Sequence, residues 1–406
     1  MGKQGLKTAV PKLRFPEFRK MPSWPIVPLE EIAERISTKN SDGQVTRVLT
    51  NSAEFGVLDQ RDYFDKDIAT AGKVDGYYVV SKGDYVYNPR TSAIAPVGPI
   101  SRNNLGEGLM SPLYTVFRFS EEKTDFYEHY FKSSGWHSYL RSAASTGARH
   151  DRMSITAGAF MRMPVPSPSR EEQKKIADCL TSLDEVIVAQ GRKVEALKVH
   201  KRGLMQQLFP RESETRPRLR FPEFHDAPDW GVKKIGDIFT VTRGEVLAMN
   251  LVKDDKSGEA PYPVYSSQTK KGGLAGYFSE FLYENAITWT TDGANAGEVN
   301  YRGEKFYCTN VCGVLLSNDG YANPCIAEFL NSITRNYVSY VGNPKLMNGV
   351  MARIAVPFPS LAEQRRIADF LLSLDVKIFA ESAHLTSLKT HKRGLMQQLF
   401  PAQGVG

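Results

Sequence analysis

Apolar positions recur with one spacing over two long stretches of the chain. From Ile176 they fall at Leu180, Leu183, Ile187, Val194, Leu197, Leu204 and Leu208, with Gln190 and Lys201 in the same register. From Ile367 they fall at Leu371, Leu374, Ile378, Leu385, Leu388, Leu395 and Leu399, with Glu381 and Lys392 interleaved. Steps of four and three alternate, which is an a/d seam with a period of about 3.5 residues. A Pro-Ser pair opens each stretch, followed by the capping-box spacings Ser169…Glu172 and Ser360…Glu363. Each closes on Phe-Pro, and proline cannot continue a helix. The pattern predicts two helices of about 38 residues, each about 57 Å long at about 1.5 Å per residue. A helix of that length with one narrow apolar stripe needs a partner. The matched registers favour pairing of the two with each other; the alternative is two amphipathic helices packed on separate domains. Polar seam groups cost stability but can set register, so leucine at Lys201 and Lys392 is expected to raise thermal stability and loosen pairing.

The two stretches are copies. The eleven residues His200–Pro210 recur unchanged as His391–Pro401, an offset of 191. Upstream, Leu13-Arg14-Phe15-Pro16-Glu17-Phe18 and Trp24 return as Leu219 to Phe224 and Trp230, an offset of 206. The difference of 15 lies in the middles, so the ends are copied closely and the middles diverge. An arm (1–20), a globular region (21–166) and a long helix (167–210) precede a charged linker with a second arm (211–225). A second globular region (226–357), a second helix (358–401) and a short tail (402–406) follow. This order implies a pseudo-two-fold, with the second helix ending near the first arm. The first ten residues carry no packing signal and are expected to be disordered.

In the first middle, alternation at 77–80 and 84–88 reads as a hairpin around Lys82-Gly83. A Pro/Gly-rich loop, a strand at 114–119, a helix near 124–141, a polar loop at 142–154 and a strand at 161–166 follow. In the second, 277–283 and 286–291 read as a hairpin, with strands at 297–301 and 305–316. A helix at 323–341, a polar loop at 342–348 and a strand at 353–357 complete it. The expected fold class is α+β, with two domains of one design separated by a long antiparallel two-helix coiled coil.

Composition is that of a globular chain, with 41% hydrophobic and 24% charged residues. The formal charge of +7 suits a phosphate-bearing partner without demanding one. The middles are not basic in bulk: residues 30–165 hold 16 basic and 17 acidic side chains, and residues 231–356 hold 12 of each. Four cysteines (Cys179, Cys308, Cys312, Cys325) show no paired CxxC spacing, so reduced thiols in a cytosol are expected. No apolar run approaches a membrane span and no signal-peptide core is evident, which points to a soluble, cytoplasmic protein.

No catalytic constellation emerges. Tyr87-Asn88-Pro89-Arg90 lacks the second proline and aromatic of an adenine methyltransferase motif, and Gly106-Glu107-Gly108 reads as a turn. Glu304 and Lys305 lack upstream acids, Cys308 and Cys312 lack a nearby histidine, and His129, His137 and His150 are scattered. The chain reads as a binder without metal or catalytic residues. Sequence-specific readers cluster basic and amide groups on loops. The stretch 132–162 carries Lys132, Arg141, Arg149, Arg152 and Arg162 against Asp151 alone. The candidate DNA contacts are Asn88, Arg90, Thr91, Arg149, His150 and Arg152 in the first middle. In the second they are Lys270, Lys271, Thr291, Asn295, Lys345 and Asn348. For any one of these residues, an ordinary solvated loop position is an equal alternative.

The paired Phe-Pro-Glu-Phe arms and twin Lys-Arg-Gly-Leu-Met-Gln-Gln-Leu-Phe-Pro ends carry a resemblance, together with the helix starts Ser169-Arg170-Glu171-Glu172-Gln173-Lys174-Lys175-Ile176-Ala177 and Ser360-Leu361-Ala362-Glu363-Gln364-Arg365-Arg366-Ile367-Ala368. The chain resembles, over nearly its whole length, the DNA-specificity subunit of type I restriction–modification systems. The resemblance implies two target-recognition domains at opposite ends of an antiparallel coiled coil, each reading half of a split, asymmetric sequence in double-stranded DNA. It implies two methyltransferase subunits as partners, which bind S-adenosylmethionine and methylate adenine, and in some systems two nuclease subunits that use ATP and Mg. No cofactor is expected in this chain itself. Two rivals stay open: a coiled-coil DNA-binding scaffold for another effector, and an enzyme with unrecognised catalytic residues.

Overall fold

The computed structural model describes residues 8–63, 74–121, 125–144, 151–211, 213–267 and 270–401. Two 39-residue helices, Arg170–Leu208 and Leu361–Leu399, dominate it. Both begin at the expected serines: the Glu172 amide donates to Ser169 Oγ and the Glu363 amide to Ser360 Oγ, each at 3.3 Å. The reciprocal half of the capping box is replaced by another contact. Arg14 donates through Nε and Nη2 to both Glu172 oxygens at 2.7 Å. Arg220 grips Glu363 in the same way at 2.7 and 2.8 Å, and Trp230 Nε1 adds a donor at 3.1 Å. Each arm is thus clasped to a helix start through a buried bidentate pair.

The chain divides into a unit of residues 1–190 with 384–406 and a unit of residues 191–383. Every seam position, from Ile176 to Leu208 and from Ile367 to Leu399, is buried or half-buried. In the first unit Ile176 and Leu180 share a core with Met396, Leu399 and Phe400, while Lys392 Nζ donates to Asp184. In the second, Leu208 shares a core with Ile367 and Leu371, and Lys193 meets Glu381 at 2.6 Å. In each unit rising numbers on one helix meet falling numbers on the other, so the segments run antiparallel. The helix ends also meet the arms: the Leu13 amide donates to Gln398 O at 3.0 Å and the Leu219 amide to Gln207 O at 2.9 Å.

The seam lysines differ from expectation. Lys201 Nζ donates to both oxygens of Asp375 at 2.7 and 2.8 Å and to Glu328 Oε1 at 2.9 Å. Desolvation opposes its charge, but the two carboxylates outweigh burial and its pKa is raised. Both lysines are ion-paired, Lys392 with Asp184, so leucine there would leave the partner carboxylates without their cation.

Each unit carries an antiparallel four-stranded sheet of one design. In the first the order is 33–36, 115–119, 85–87, 100–102; in the second it is 240–243, 312–316, 286–290, 299–302. A short pairing closes each domain onto its helix, Trp24–Pro28 with Pro164–Pro166 and Gly231–Lys234 with Ala355–Phe358. Thr8 and Ala9, within the stretch expected to be disordered, pair with Pro25 and Trp24.

Neither predicted hairpin forms. Tyr78–Val80 pairs with Gly108–Met110, while Tyr85–Tyr87 pairs with Thr115–Phe119 and Ile100–Arg102. Leu274–Phe278 pairs with Tyr262–Tyr265, while Ala286–Thr290 joins the four-stranded sheet. In both cases adjacent apolar runs serve different sheets, and alternation cannot distinguish that from a hairpin. The helix expected at 124–141 is two, Asp125–Phe131 and His137–Ala143. The helix expected at 323–341 runs only over Pro324–Ile333, capped by Asn323, with a 3-10 turn at Thr334–Tyr337.

The first core is aromatic: Tyr85, Phe117, Phe119, Phe126, Phe131 and Phe160 are buried together against the helix residues Ile176 and Leu180. Phe400, from the repeated Leu-Phe-Pro end, packs edge-on against Phe126 and Tyr130. Its copy Phe209 stacks on Phe329 at 4.9 Å in the second unit. Among the described residues, no helix is long and apolar enough to cross a membrane.

Candidate nucleic-acid interface

In each unit one inner strand of the sheet runs out into a loop that carries candidate DNA contacts. Tyr85–Tyr87 leads into residues 88–99, and Ala286–Thr290 into residues 291–298. A later segment, distant in sequence, docks against each loop. Arg90 bridges to Arg152, the Thr91 amide donates to Asp151 O at 3.0 Å, and the Met153 amide donates to Pro89 O at 2.9 Å. In the second unit Asp292 bridges to Lys345, Leu346 N donates to Thr291 O at 2.8 Å and Gly293 N to Pro344 O at 2.9 Å. Two loop groups picked out separately in the sequence thus form one surface, at equivalent places in both domains.

Glycines let these loops return to the sheet. Gly98 has φ +82° and a Cβ there would lie 2.0 Å from Asn88 O; Gly297 has φ +86° and a Cβ would lie 2.9 Å from Val338 Cγ2. Both positions combine the left-handed conformation with a close approach, which only glycine meets without strain.

The candidate side chains fall into two groups. Arg90 is exposed, Thr91 and Arg152 are half-buried, and Arg152 Nε lies 3.8 Å from Asp151 Oδ2. Lys345 is exposed, with Nζ 3.6 Å from Asp292 Oδ1, and Asn295 is half-buried. By contrast Asn88 is buried: its amide donates to Asn51 O at 2.8 Å and its oxygen accepts from the Arg90 amide at 3.0 Å. Thr291 is also buried, with Oγ1 2.9 Å from Val311 O and 2.8 Å from Asp292 Oδ2. Asn348 donates to Thr242 O at 3.1 Å. These three hold the loops in shape. Arg149 and His150 lie outside the described residues. Lys270 and Lys271 contribute backbone to a 3-10 turn, Lys270–Gly273, away from the two docked loops in sequence.

The residues weighed as catalytic candidates have partners within the fold. Glu304 accepts from Tyr265 Oη at 2.7 Å, and Lys305 lies 4.8 Å from the Phe281 ring centroid. Arg302 stacks 3.6 Å from the Tyr265 ring centroid and donates to Gly272 O at 2.7 Å; burial lowers its pKa. Cys308 and Cys312 are buried free thiols, and desolvation pushes Cys312 up to about 11. Among the described residues no acidic, cysteine or histidine cluster could hold a metal ion.

Sequence reading missed one part of this surface. Residues 338–346, assigned to the end of a helix and a polar loop, form a hairpin with Tyr340 and Val341 exposed at its tip. Gly342-Asn343-Pro344 was the available signal for a turn there.

The type I restriction modification DNA specificity domain matches residues 228–389. A putative type I specificity subunit N-terminus from Mycoplasma pneumoniae is 40% identical over 141 residues, covering 34% of this chain and 74% of that protein. A second putative type I specificity subunit from that organism is 34% identical over 146 residues, and the match spans 47% of its length. The specificity subunit of the M. pneumoniae type I restriction enzyme MpnII is 33% identical over 145 residues, and 43% of its length is spanned. The chain thus spans under half the length of the latter two. Among solved structures, the S subunit of a type I restriction–modification system from M. genitalium matches with a TM-score of 0.57 at 15% identity, over 97% of this chain and 100% of that one. A chain from a study of assembly and conformational transition of the type I R-M system matches with a TM-score of 0.60 at 14% identity, over 94% and 98%. At such identities the likeness concerns the fold alone, which is α+β in this chain. With 40% identity across 74% of one such subunit, the chain belongs to the family of type I restriction–modification DNA specificity subunits.

Proposed function

We propose that this chain is the non-catalytic subunit that gives a type I methyltransferase its target. Each sheet domain reads one half of a bipartite, asymmetric sequence in double-stranded DNA. One observation carries the reading: both domains build the same docked-loop surface on the same sheet, but with different side chains. Arg90 and Arg152 occupy it in one, Asp292 and Lys345 in the other. Equal scaffolds with unequal loops suit unequal half-sites. The surfaces are not strongly basic, which fits base-edge hydrogen bonding more than bulk phosphate attraction.

The paired helices form an antiparallel coiled coil that sets the unspecified spacer and docks two methyltransferase subunits. A stripe of exposed apolar residues at Leu372, Val376 and Phe379 supports docking: it lies beside the seam positions Leu371, Leu374 and Ile378, which are buried or half-buried. S-adenosylmethionine belongs to those partners, and ATP and Mg belong to nuclease subunits where a system has them. Flipping the target adenine out of the duplex is the partner's step, for which this chain holds the duplex in register.

Mapping methylated adenines in DNA from cells with and without this chain tests the reading. One split motif should vanish with the chain. Replacing residues 231–356 by another recognition domain should change one half of that motif and leave the other. Alteration of both halves, or DNA binding without copurifying methyltransferase subunits, would favour a scaffold for another effector.

A further inference from the structure

The hairpin of residues 339–345 is built for rigidity yet ends in apolar side chains in water. Ser339 and Lys345 exchange both backbone hydrogen bonds at 2.9 Å, and Gly342 makes the turn with φ +75°. Its two stems are anchored, since the flanking residues Val338 and Leu346 are buried in the core of the second unit. Trp289 Nε1, on the inner sheet strand, donates to Leu346 O at 2.9 Å. Two further backbone bonds, Leu346 N to Thr291 O and Gly293 N to Pro344 O, pin the hairpin to the loop that follows that strand. At the tip Tyr340 is 67% and Val341 92% exposed.

An exposed apolar residue is ordinary by itself; what sets these apart is their place at the end of a hairpin pinned to the candidate loop, where burial against a ligand would contribute about 1.5–3 kcal/mol per large apolar side chain. Tyr337 and Met347, beside the hairpin in sequence, are exposed as well, so the apolar surface here is a small patch of the kind that marks an interaction site. The neighbours fit a groove: Asn343 at the turn and Lys345 on the stem, with Nζ 3.6 Å from Asp292 Oδ1, are exposed, offering an amide and a cation to a phosphate-lined surface. An apolar tip flanked by such donors matches the one apolar mark in the major groove, the thymine 5-methyl group.

We propose that Tyr340 and Val341 enter the groove of the half-site read by the second domain and contact base edges there, with Val341 against a thymine methyl. This rests on the DNA-reading role above and makes the hairpin a specificity determinant within it. The apolar tip contributes to sequence discrimination, and Lys345 beside it contributes to backbone attraction.

The test uses the complex with its methyltransferase subunits. Binding is compared on a duplex carrying the methylation-mapped target and on one whose second half-site is scrambled. Tyr340→Ala and Val341→Ala should each weaken cognate binding about tenfold, with scrambled-site binding and the slope against salt unchanged. Replacing thymines of the half-site one at a time by uracil should reveal a position where wild type loses affinity and Val341→Ala loses no more. Lys345→Ala should instead weaken both duplexes and reduce the salt slope. The proposal is overturned if the tip variants bind the target like wild type, if both duplexes suffer equally, if methyltransferase subunits are lost from the complex, or if no uracil position behaves so. Failure of the wild-type complex to prefer the mapped duplex would sink the DNA-reading role itself, which is a separate outcome.

Discussion

Replacing Lys201 by leucine sets two physical expectations against each other. The position belongs to the four–three seam, and burying a leucine there would contribute about 1–2 kcal/mol. Yet Lys201, with its side chain 14% exposed, is the cation shared by Asp375 and Glu328. Breaking a fully buried pair costs about 3–5 kcal/mol, and an exposed pair contributes about 0–1 kcal/mol. Asp375 and Glu328 are 46% and 31% exposed, so the loss lies between these limits. Set against the apolar gain, a net destabilisation of about 1–2 kcal/mol is expected. At about 2–4 °C per kcal/mol for a unit of this size, the melting temperature should fall by about 2–8 °C. Thermal unfolding followed by circular dichroism at low and high salt measures it, with a smaller loss at high salt because the partners are partly solvated. The triple variant Lys201→Leu, Glu328→Gln, Asp375→Asn removes the orphaned charges and should recover most of the loss. A single Lys201→Leu variant that melts above wild type would refute this account and restore the purely apolar reading of the seam.

Arg220→Lys should cost about 2–4 kcal/mol, because an ammonium cannot keep the bidentate grip on Glu363 together with the Ala227 and Pro228 carbonyls; urea titration measures it, and a loss below 0.5 kcal/mol on the order of a surface pair would show the clasp to be dispensable. His129 is buried against Thr181, Asp184, Lys392, Lys132 and Glu128, and burial, reinforced by the two lysines, pushes its pKa down to about 4. Its folded pKa is below the ordinary 6.5, so the unfolded chain takes up the proton first. Stability should therefore fall by up to about 3 kcal/mol as pH drops from about 6.5 to about 4. His129→Gln should remove that part of the pH dependence, and an unchanged profile would assign it to other groups. Inserting seven residues after Gly191 keeps the seam in register and lengthens the helix by about 10.5 Å, or about three base pairs of spacer. Methylome mapping should find the same half-sites further apart, whereas a four-residue insertion should abolish assembly. An unaltered spacer in the active heptad variant would show that the coiled coil does not set the distance.

Much was legible in the residues alone because the signals were local or repeated. The four–three spacing, the serine caps and the terminal prolines located both long helices to within three residues at each end, since helix periodicity is written every turn. The duplicated arms and ends revealed two like halves. They also led to the expectation that the second helix would end near the first arm, as the Leu13–Gln398 bond has it. Only the tertiary structure decided who pairs with whom. Alternating runs at 77–88 and 277–291 looked like hairpins, but each run serves a separate sheet, and strand pairing depends on distant partners that no local pattern encodes. Glu172 and Glu363 looked like capping residues until their arginine partners, 158 and 143 residues away, proved to hold them. Asn88 and Thr291 looked like outward donors, yet burial turns them inward to shape the loops. The apolar tip at Tyr340 and Val341 read as the end of a helix because its residues continue a helical rhythm. The chain leaves that helix after Ile333, where Val338 and Leu346 reach the core only by a hairpin. Periodicity records which face a residue turns toward its own element's neighbours; contacts closed over long stretches of chain decide what waits there.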